Sequence, residues 1–284
     1  MKWIGQKQSS NVDDRRMSGR GIAVGGGIGG IIIYLLYTLL SGNQIDPSQI
    51  PLQPGGGQAT ELSPEEQKAD DERANFVGVV LQETEDVWNK IFAENGKQYQ
   101  EPTLVLFREV VQSGCGNASA ASGPFYCPSD GKLYIDLSFY QELQERFKAP
   151  GDFPMAYVIA HEVGHHIQNL MGTAEKVGRA RQQMSEADAN RLSVMTELQA
   201  DFYAGVWAKY YQQTTGRLDP GDIEEALTAA NAIGDDRLQK ETRGTVVPDA
   251  FTHGTSQQRM YWFKKGYETG DIKQGDTFNS PDLN

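Results

Sequence analysis

The sequence predicts an α+β fold: a single N-terminal membrane-spanning helix followed by a mostly helical domain with a small β-sheet. Three observations predict it. An uncharged apolar run fills residues 21–40. Two short strand-like segments occupy the middle of the chain. From Ser138 onward, helical segments dominate.

Residues 1–20 carry five basic side chains (Lys2, Lys7, Arg15, Arg16, Arg20) against two acidic ones (Asp13, Asp14). The formal net charge of the whole chain is −12, so the remainder carries −15. Twenty apolar residues in a helix span about 30 Å, the thickness of a bilayer core, and residues 21–40 contain no charge to oppose insertion. A long leader with acids and no small-residue cleavage site fits a cleaved signal poorly. Basic residues before the run and an acidic body after it place residues 1–20 in the cytoplasm. The expectation is therefore a single-pass protein of the cell (inner) membrane with its main domain periplasmic or extracellular. The pairs Gly25/Gly29 and Gly26/Gly30 have the small-xxx-small spacing that packs one span against another helix.

Residues 41–62, rich in Gly, Pro and Gln, read as a flexible linker. The domain, residues 63–284, opens at Ser63-Pro64-Glu65-Glu66, a capping serine, a proline at the first helical position and a glutamate completing the box. A helix then runs to about residue 92. Thr103–Val111 and Lys132–Ser138 read as strands. Helices follow over about 138–147, 154–171, 185–213, 221–240 and 255–268, with Ser185 and Asp188 capping the third of these. Cys115 and Cys127 lie too far apart for the usual two-residue metal or redox spacing; a disulfide closing the loop between the strands is the natural reading outside the cytoplasm. No internal repeat is present. An apolar fraction of 38% and a charged fraction of 23% argue against global disorder, and the acidic body argues against a nucleic-acid partner.

Chemistry concentrates in Val158-Ile159-Ala160-His161-Glu162-Val163-Gly164-His165-His166, which holds three of the four histidines. On a helix, His161 and His165 project from one face a turn apart, so both imidazoles can bind one metal ion. Glu162 sits beside them, placed to hold a water without being a ligand. A tetrahedral catalytic zinc takes three protein ligands and keeps one position open. Glu197 is the candidate third ligand. Asp201, four residues on and on the same helix face, is placed to accept the free N–H of a ligating histidine. The helix carrying them is apolar nearly all round (Met195, Leu198, Ala200, Phe202, Ala204, Val206, Trp207), so its carboxylates need a cationic partner. His166 faces away from this group and is expected to pack or hydrogen-bond.

The two-helix pattern, His-Glu-x-x-His with a downstream Glu-x-x-Ala-Asp, resembles that of the gluzincin metallopeptidases. More closely, the chain resembles the bacterial neutral zinc metallopeptidase family. The stretches that carry the likeness are Met1-Lys2-Trp3, Asn11–Arg16, Gly123–Pro128, His161–Gln168, Glu197–Asp201 and Thr252–Arg259. The resemblance implies a zincin-type domain holding one Zn2+ per chain through His161, His165 and Glu197. It implies endopeptidase activity on a peptide or protein substrate, with Glu162 as general base. His253 and Arg259 resemble the late His…Arg element of the CAAX prenyl-endopeptidase group, which implies catalytic roles near the metal. Substrate is expected to add as a strand at a sheet edge, for which Lys132–Ser138 is the candidate. The alternatives are a catalytically inactive zinc-binding envelope scaffold or chaperone, a zinc hydrolase of a non-peptide bond, and a membrane-assembly factor acting through the Gly-rich span.

Overall fold

The computed structural model describes residues 1–16 and 62–280. Its first long helix, α1 (Pro64–Glu94), begins as its sequence requires: the Ser63 hydroxyl accepts the Glu66 N–H and the Glu66 carboxylate accepts the Ser63 N–H. Val77, Val80, Leu81, Trp88 and Ile91 turn its buried face to the core.

Among the described residues six strands follow the chain as β1 (Val12–Asp14), β2 (Thr103–Phe107), β3 (Val110–Ser113), β4 (Gly116–Ser119), β5 (Phe125–Cys127) and β6 (Lys132–Asp136). Four form one sheet in the order β1-β2-β6-β5. β2 is parallel to both β1 and β6, whereas β5 runs antiparallel to β6. β3 and β4 make a separate antiparallel hairpin. The expected single strand Thr103–Val111 therefore breaks in two. The break falls at Glu109, whose φ of 61° lies in the left-handed region and whose N–H is held by Asp136 Oδ2 at 2.8 Å. Cys115 and Cys127 tie the hairpin to the end of β5, with Sγ–Sγ 2.04 Å and Cα–Cα 5.8 Å.

The helical half comprises α2 (Phe139–Glu145), α3 (Phe153–Leu170), α4 (Thr173–Arg181), α5 (Glu186–Thr215), α6 (Asp222–Ala232), α7 (Asp235–Arg243) and α8 (Ser256–Thr269). Expected residues 221–240 form two helices, not one. A Cβ at Gly234 would lie 2.4 Å from the Ser256 backbone nitrogen, so the chain must bend and stay bare there for the segment before α8 to pass. α5 and α8 pack with backbones nearly touching: a Cβ at Gly205 would meet the Phe263 carbonyl at 2.0 Å, and one at Gly266 the Phe202 carbonyl at 2.1 Å. α3 and α5 cross at Gly164, where a Cβ would stand 2.9 Å from the Ala200 carbonyl oxygen. Trp88, Trp207 and Trp262, all buried, fill the spaces between α1, α5 and α8.

The N-terminal segment corrects the expected organisation. β1 pairs with β2, the Lys2 N–H donates to the Arg217 carbonyl at 2.9 Å, and the Met1 α-ammonium donates to Asp152 Oδ1 at 2.9 Å and to Asp222 Oδ1 at 3.2 Å. Residues 1–16 are thus built into the same body as residues 62–280. One helix crossing a membrane between them would put the two parts on opposite faces of the bilayer, which this packing forbids. The single-pass fold, the cytoplasmic segment 1–20 and the inner-membrane localisation drawn from it do not hold. Among the described residues no helix is long and apolar enough to cross a membrane. The expected span 21–40, its Gly25, Gly26, Gly29 and Gly30, and linker residues 41–61 lie outside the described residues.

Candidate metal centre

α3 and α5 bring the three candidate ligands together. His161 and His165 lie a turn apart on α3, ring centroids 4.8 Å apart. Because Gly164 lets the α5 backbone approach so closely, Glu197 reaches both rings: Oε2 stands 3.1 Å from His161 Nε2, and Oε1 stands 3.4 Å from His165 Nε2. The donor atoms of the three residues all lie within 4.8 Å of one another. A zinc ion bonded tetrahedrally at about 2.0–2.1 Å sets neighbouring donors roughly 3.3 Å apart. Two imidazole nitrogens and a carboxylate at these separations therefore fit the ion.

The carboxylate of Asp201, fully buried, organises the side of this cluster away from the cleft. It accepts His161 Nδ1–H at 2.8 Å, the Tyr157 hydroxyl at 2.5 Å, and Arg259 Nε and Nη2 at 2.8 and 2.9 Å. With Nδ1 bonded to Asp201, the proton on Nε2 points at Glu197, and Nε2 is the nitrogen that becomes a metal donor once that proton leaves. His165 Nδ1 meets Gln168 Oε1 at 2.9 Å, and Gln168 is in turn held by the Thr196 carbonyl and Gln199. Both histidines are thus oriented from behind by hydrogen bonds.

The charges follow from burial and neighbours. Burial opposes the charged form of His161, but the charge and hydrogen bond of Asp201, with Glu197 beside it, outweigh that and raise its pKa to about 10. His165 is opposed by burial and raised by Glu197 in the same way. Burial alone would raise Glu197, yet the two histidines hold it well below the usual carboxylate range. Asp201 is likewise brought down to about 2 by Arg259 and His161 against its burial. Glu162 differs: burial raises it, so among these carboxylates it is the one pushed toward proton exchange.

The cluster opens into a cleft of about 730 Å³, whose lining includes Phe125, Tyr126, Val158, Glu162, Glu197 and His253. His253 stands at its wall with a half-exposed side chain, its Nδ1 3.2 Å from Asp235 Oδ1. Asp235 also accepts the Thr252, His253 and Gly254 N–H groups, fixing this loop. Arg259 also lines the cleft, but its hydrogen bonds run to Asp201 and Tyr157. His166 lies outside the cluster, bound to the Gln100 carbonyl and the Tyr126 hydroxyl. Tyr157, Gln168 and Asp235 escaped the sequence reading. Helical spacing could have found the first, since Tyr157 lies one turn before His161 on the same face.

The lining of this cleft includes residues from Gly123–Pro128, His161–Gln168, Glu197–Asp201 and Thr252–Arg259, four of the stretches that carried the resemblance. The sequence profile of the family described as "Putative neutral zinc metallopeptidase" matches residues 1–278. The chain belongs to this family. Among its relatives, the uncharacterized protein YpfJ of Escherichia coli K12 is 48% identical over 288 residues, covering 98% of this chain and 99% of its own. The uncharacterized protein Rv2575 of Mycobacterium tuberculosis is 47% identical over 195 residues, 65% of each chain. No solved structure matches the chain. Family membership makes zinc the expected metal of the His161–His165–Glu197 cluster.

Proposed function

We propose that the chain is a zinc-dependent endopeptidase holding one Zn2+ at His161, His165 and Glu197, with Glu162 as general base. The observation that supports this most is a carboxylate of raised pKa facing a cleft beside two imidazoles and a glutamate at zinc-ligand separations. Zinc held by these three donors would act as a Lewis acid, lowering the pKa of a water toward ~7 and polarising a carbonyl. Glu162 takes the proton of the attacking water and returns it to the leaving amine. His253, its ring oriented by Asp235, is placed in the cleft wall to donate to the developing oxyanion. Arg259 acts through Asp201, keeping that carboxylate ionised and aimed at His161.

Substrate adds to β5. The expected edge, Lys132–Ser138, is not an edge: β6 lies between β2 and β5, and its backbone is paired on both sides. β5 is the outer strand of the sheet on the cleft side, and Phe125 and Tyr126 line the cleft. Val158, on α3 one turn before His161, lines the cleft, as do Phe139, Phe147, Ile233 and Leu238. A bulky apolar side chain beside the scissile bond suits it.

Glu162→Gln tests the reading. It removes the base but none of the three donors, so zinc content should stay near one per chain while hydrolysis of a quenched peptide library falls by about 10²–10⁴-fold. Undiminished hydrolysis in that variant would sink the mechanism, and a wild-type protein that takes up no zinc would sink the site.

A further inference from the structure

A line of buried amides runs from His165 to the segment that follows α8. His165 Nδ1 meets Gln168 Oε1 at 2.9 Å. Gln168 Nε2 donates to the Thr196 carbonyl at 2.7 Å and to Gln199 Oε1 at 3.2 Å. Gln199 Nε2 in turn donates to the Gly275 carbonyl at 2.7 Å. Gly275 follows a short turn, Ile272–Gln274, and comes so close to α5 that a Cβ there would lie 2.5 Å from Phe202 Cδ1. Gln168 is fully buried and Gln199 is 6% exposed, so water does not compete for these bonds.

We propose, resting on the zinc reading of His161, His165 and Glu197, that Gln199 and the Gly275 carbonyl are positioning groups for His165. Acting through the Gln168 amide, they fix Nδ1 as its protonated nitrogen and Nε2 as the one turned to the metal. An amide side chain has a donor end and an acceptor end, and its partners decide which way round it lies. A carbonyl oxygen only accepts. The Gly275 carbonyl, itself held by the Thr277 N–H at 3.0 Å, therefore draws the NH2 of Gln199 toward it and leaves the Gln199 oxygen toward Gln168. That oxygen and the Thr196 carbonyl together take the NH2 of Gln168. What remains for the ring is the Gln168 oxygen, so Nδ1 brings the proton. Nε2, 3.4 Å from Glu197 Oε1, is then the nitrogen available to the ion.

The two histidines thus differ in what stands behind them. His161 is backed by the carboxylate of Asp201, itself tied to Arg259, whereas His165 is backed by neutral amides. For His165 the direction comes from main-chain carbonyls at the two anchors of the line, Thr196 beside the ligand Glu197 and Gly275 beyond α8. The segment after α8 in this way acts on the metal site while contributing no ligand to it.

Gln199→Met and Thr277→Val, each in the full chain, separate this role from packing. The first keeps the length of the side chain and removes its amide. The second removes another bond by which the same segment holds α5, from the Thr277 hydroxyl to the Met195 carbonyl at 2.6 Å, and leaves the amide line intact. Zinc affinity is measured by competition with a chromophoric chelator, the proton on the His165 ring by nitrogen NMR of the zinc-loaded chain, and folding by the thermal midpoint without zinc. In the parent, His165 should carry its proton on Nδ1 and exchange it slowly with solvent. Gln199→Met should bind zinc about tenfold more weakly and exchange that proton faster. Thr277→Val should bind zinc as the parent does, even where its midpoint falls as far. A His165 proton on Nε2 in the zinc-loaded parent overturns the proposal, and that measurement needs no variant to fold. Equal weakening by the two substitutions also overturns it, because the segment would then act by packing alone. Undiminished zinc binding by Gln199→Met removes this proposal and leaves the site, whereas a parent that takes up no zinc removes both.

Discussion

Asp201→Asn is the most informative single substitution, because it keeps the shape of the side chain and removes only its charge. In the parent, this buried carboxylate receives two N–H bonds from Arg259, one from His161 and the Tyr157 hydroxyl. Arg259 is itself only 3% exposed, so the variant strands a guanidinium that water cannot reach. Removing one partner of a buried pair costs about 3–5 kcal/mol. A second route to the magnitude uses the carboxyl itself: lowering from 3.8 to about 2 on folding corresponds to roughly 2 kcal/mol. The first figure should prevail, because the second counts the carboxylate and omits the stranded cation. The sign with pH is fixed: the folded value is depressed, so the contribution is present above about pH 4 and lost as pH falls through about 2. Urea unfolding in the presence of chelator, at pH 7 and again below pH 4, should show a gap between parent and variant that narrows in acid. Zinc affinity, measured by competition, should fall about 10–100-fold because His161 loses the group that sets its tautomer. The double variant Asp201→Asn/Arg259→Met should be less destabilised than the sum of its singles. A single variant within about 1 kcal/mol of the parent and binding zinc equally well would refute the assignment of Asp201 and Arg259 as the support of this site.

Two further outcomes are expected. Gly164→Ala places a methyl 2.9 Å from the Ala200 carbonyl, so α3 and α5 must separate; a loss of about 1–3 kcal/mol and weaker zinc binding should appear together, and a variant that binds zinc as the parent does would mean Glu197 reaches the histidines without that close crossing. Zinc uptake should release protons, since His161 in the metal-free protein stays protonated up to about pH 10. Its raised value stabilises the metal-free fold below pH ~6.5, and that contribution fades as pH rises through about 10. Apparent zinc affinity should accordingly climb between pH 6 and 9, and calorimetry in buffers of different ionisation enthalpy should count at least one proton; a count of zero would contradict the Asp201–His161–Glu197 arrangement.

What the sequence discloses of this molecule depends on the distance over which each feature is determined. The spacings 161/165 and 197/201 are local to single helices, so periodicity alone places each pair on one face, and desolvation argues that the second pair needs a cation. The capping residues Ser63 and Ser185 are local in the same sense and mark the starts of α1 and α5. Other features are set by residues far away in the chain. Glu109 turns against Asp136, and Gly234 bends past Ser256; neither partner is visible in the residues beside the break. β1 has three residues and partly exposed polar side chains, so nothing in its own pattern distinguishes it from a charged leader. Its parallel partner β2 comes some ninety residues later, and the acids that hold Met1 come later still. The uncharged run at 21–40 therefore outweighs, in the sequence, any signal from the residues before it.

The same reasoning explains why the candidate metal ligands are legible in the sequence and the proposed substrate edge is not. A strand's alternation reports which of its faces is buried, but carries no information about which neighbour lies on either side. Lys132–Asp136 has the clear pattern of a strand because it is interior, hydrogen-bonded to β2 and β5 alike. β5, the strand with an open side on the cleft, is only three residues long and mostly half-buried, which leaves almost no pattern to read. An open edge is under pressure to be short and weakly patterned, since a long apolar one would pair with other chains. Legibility as a strand and an open edge thus pull in opposite directions here, and only the sheet order tells them apart.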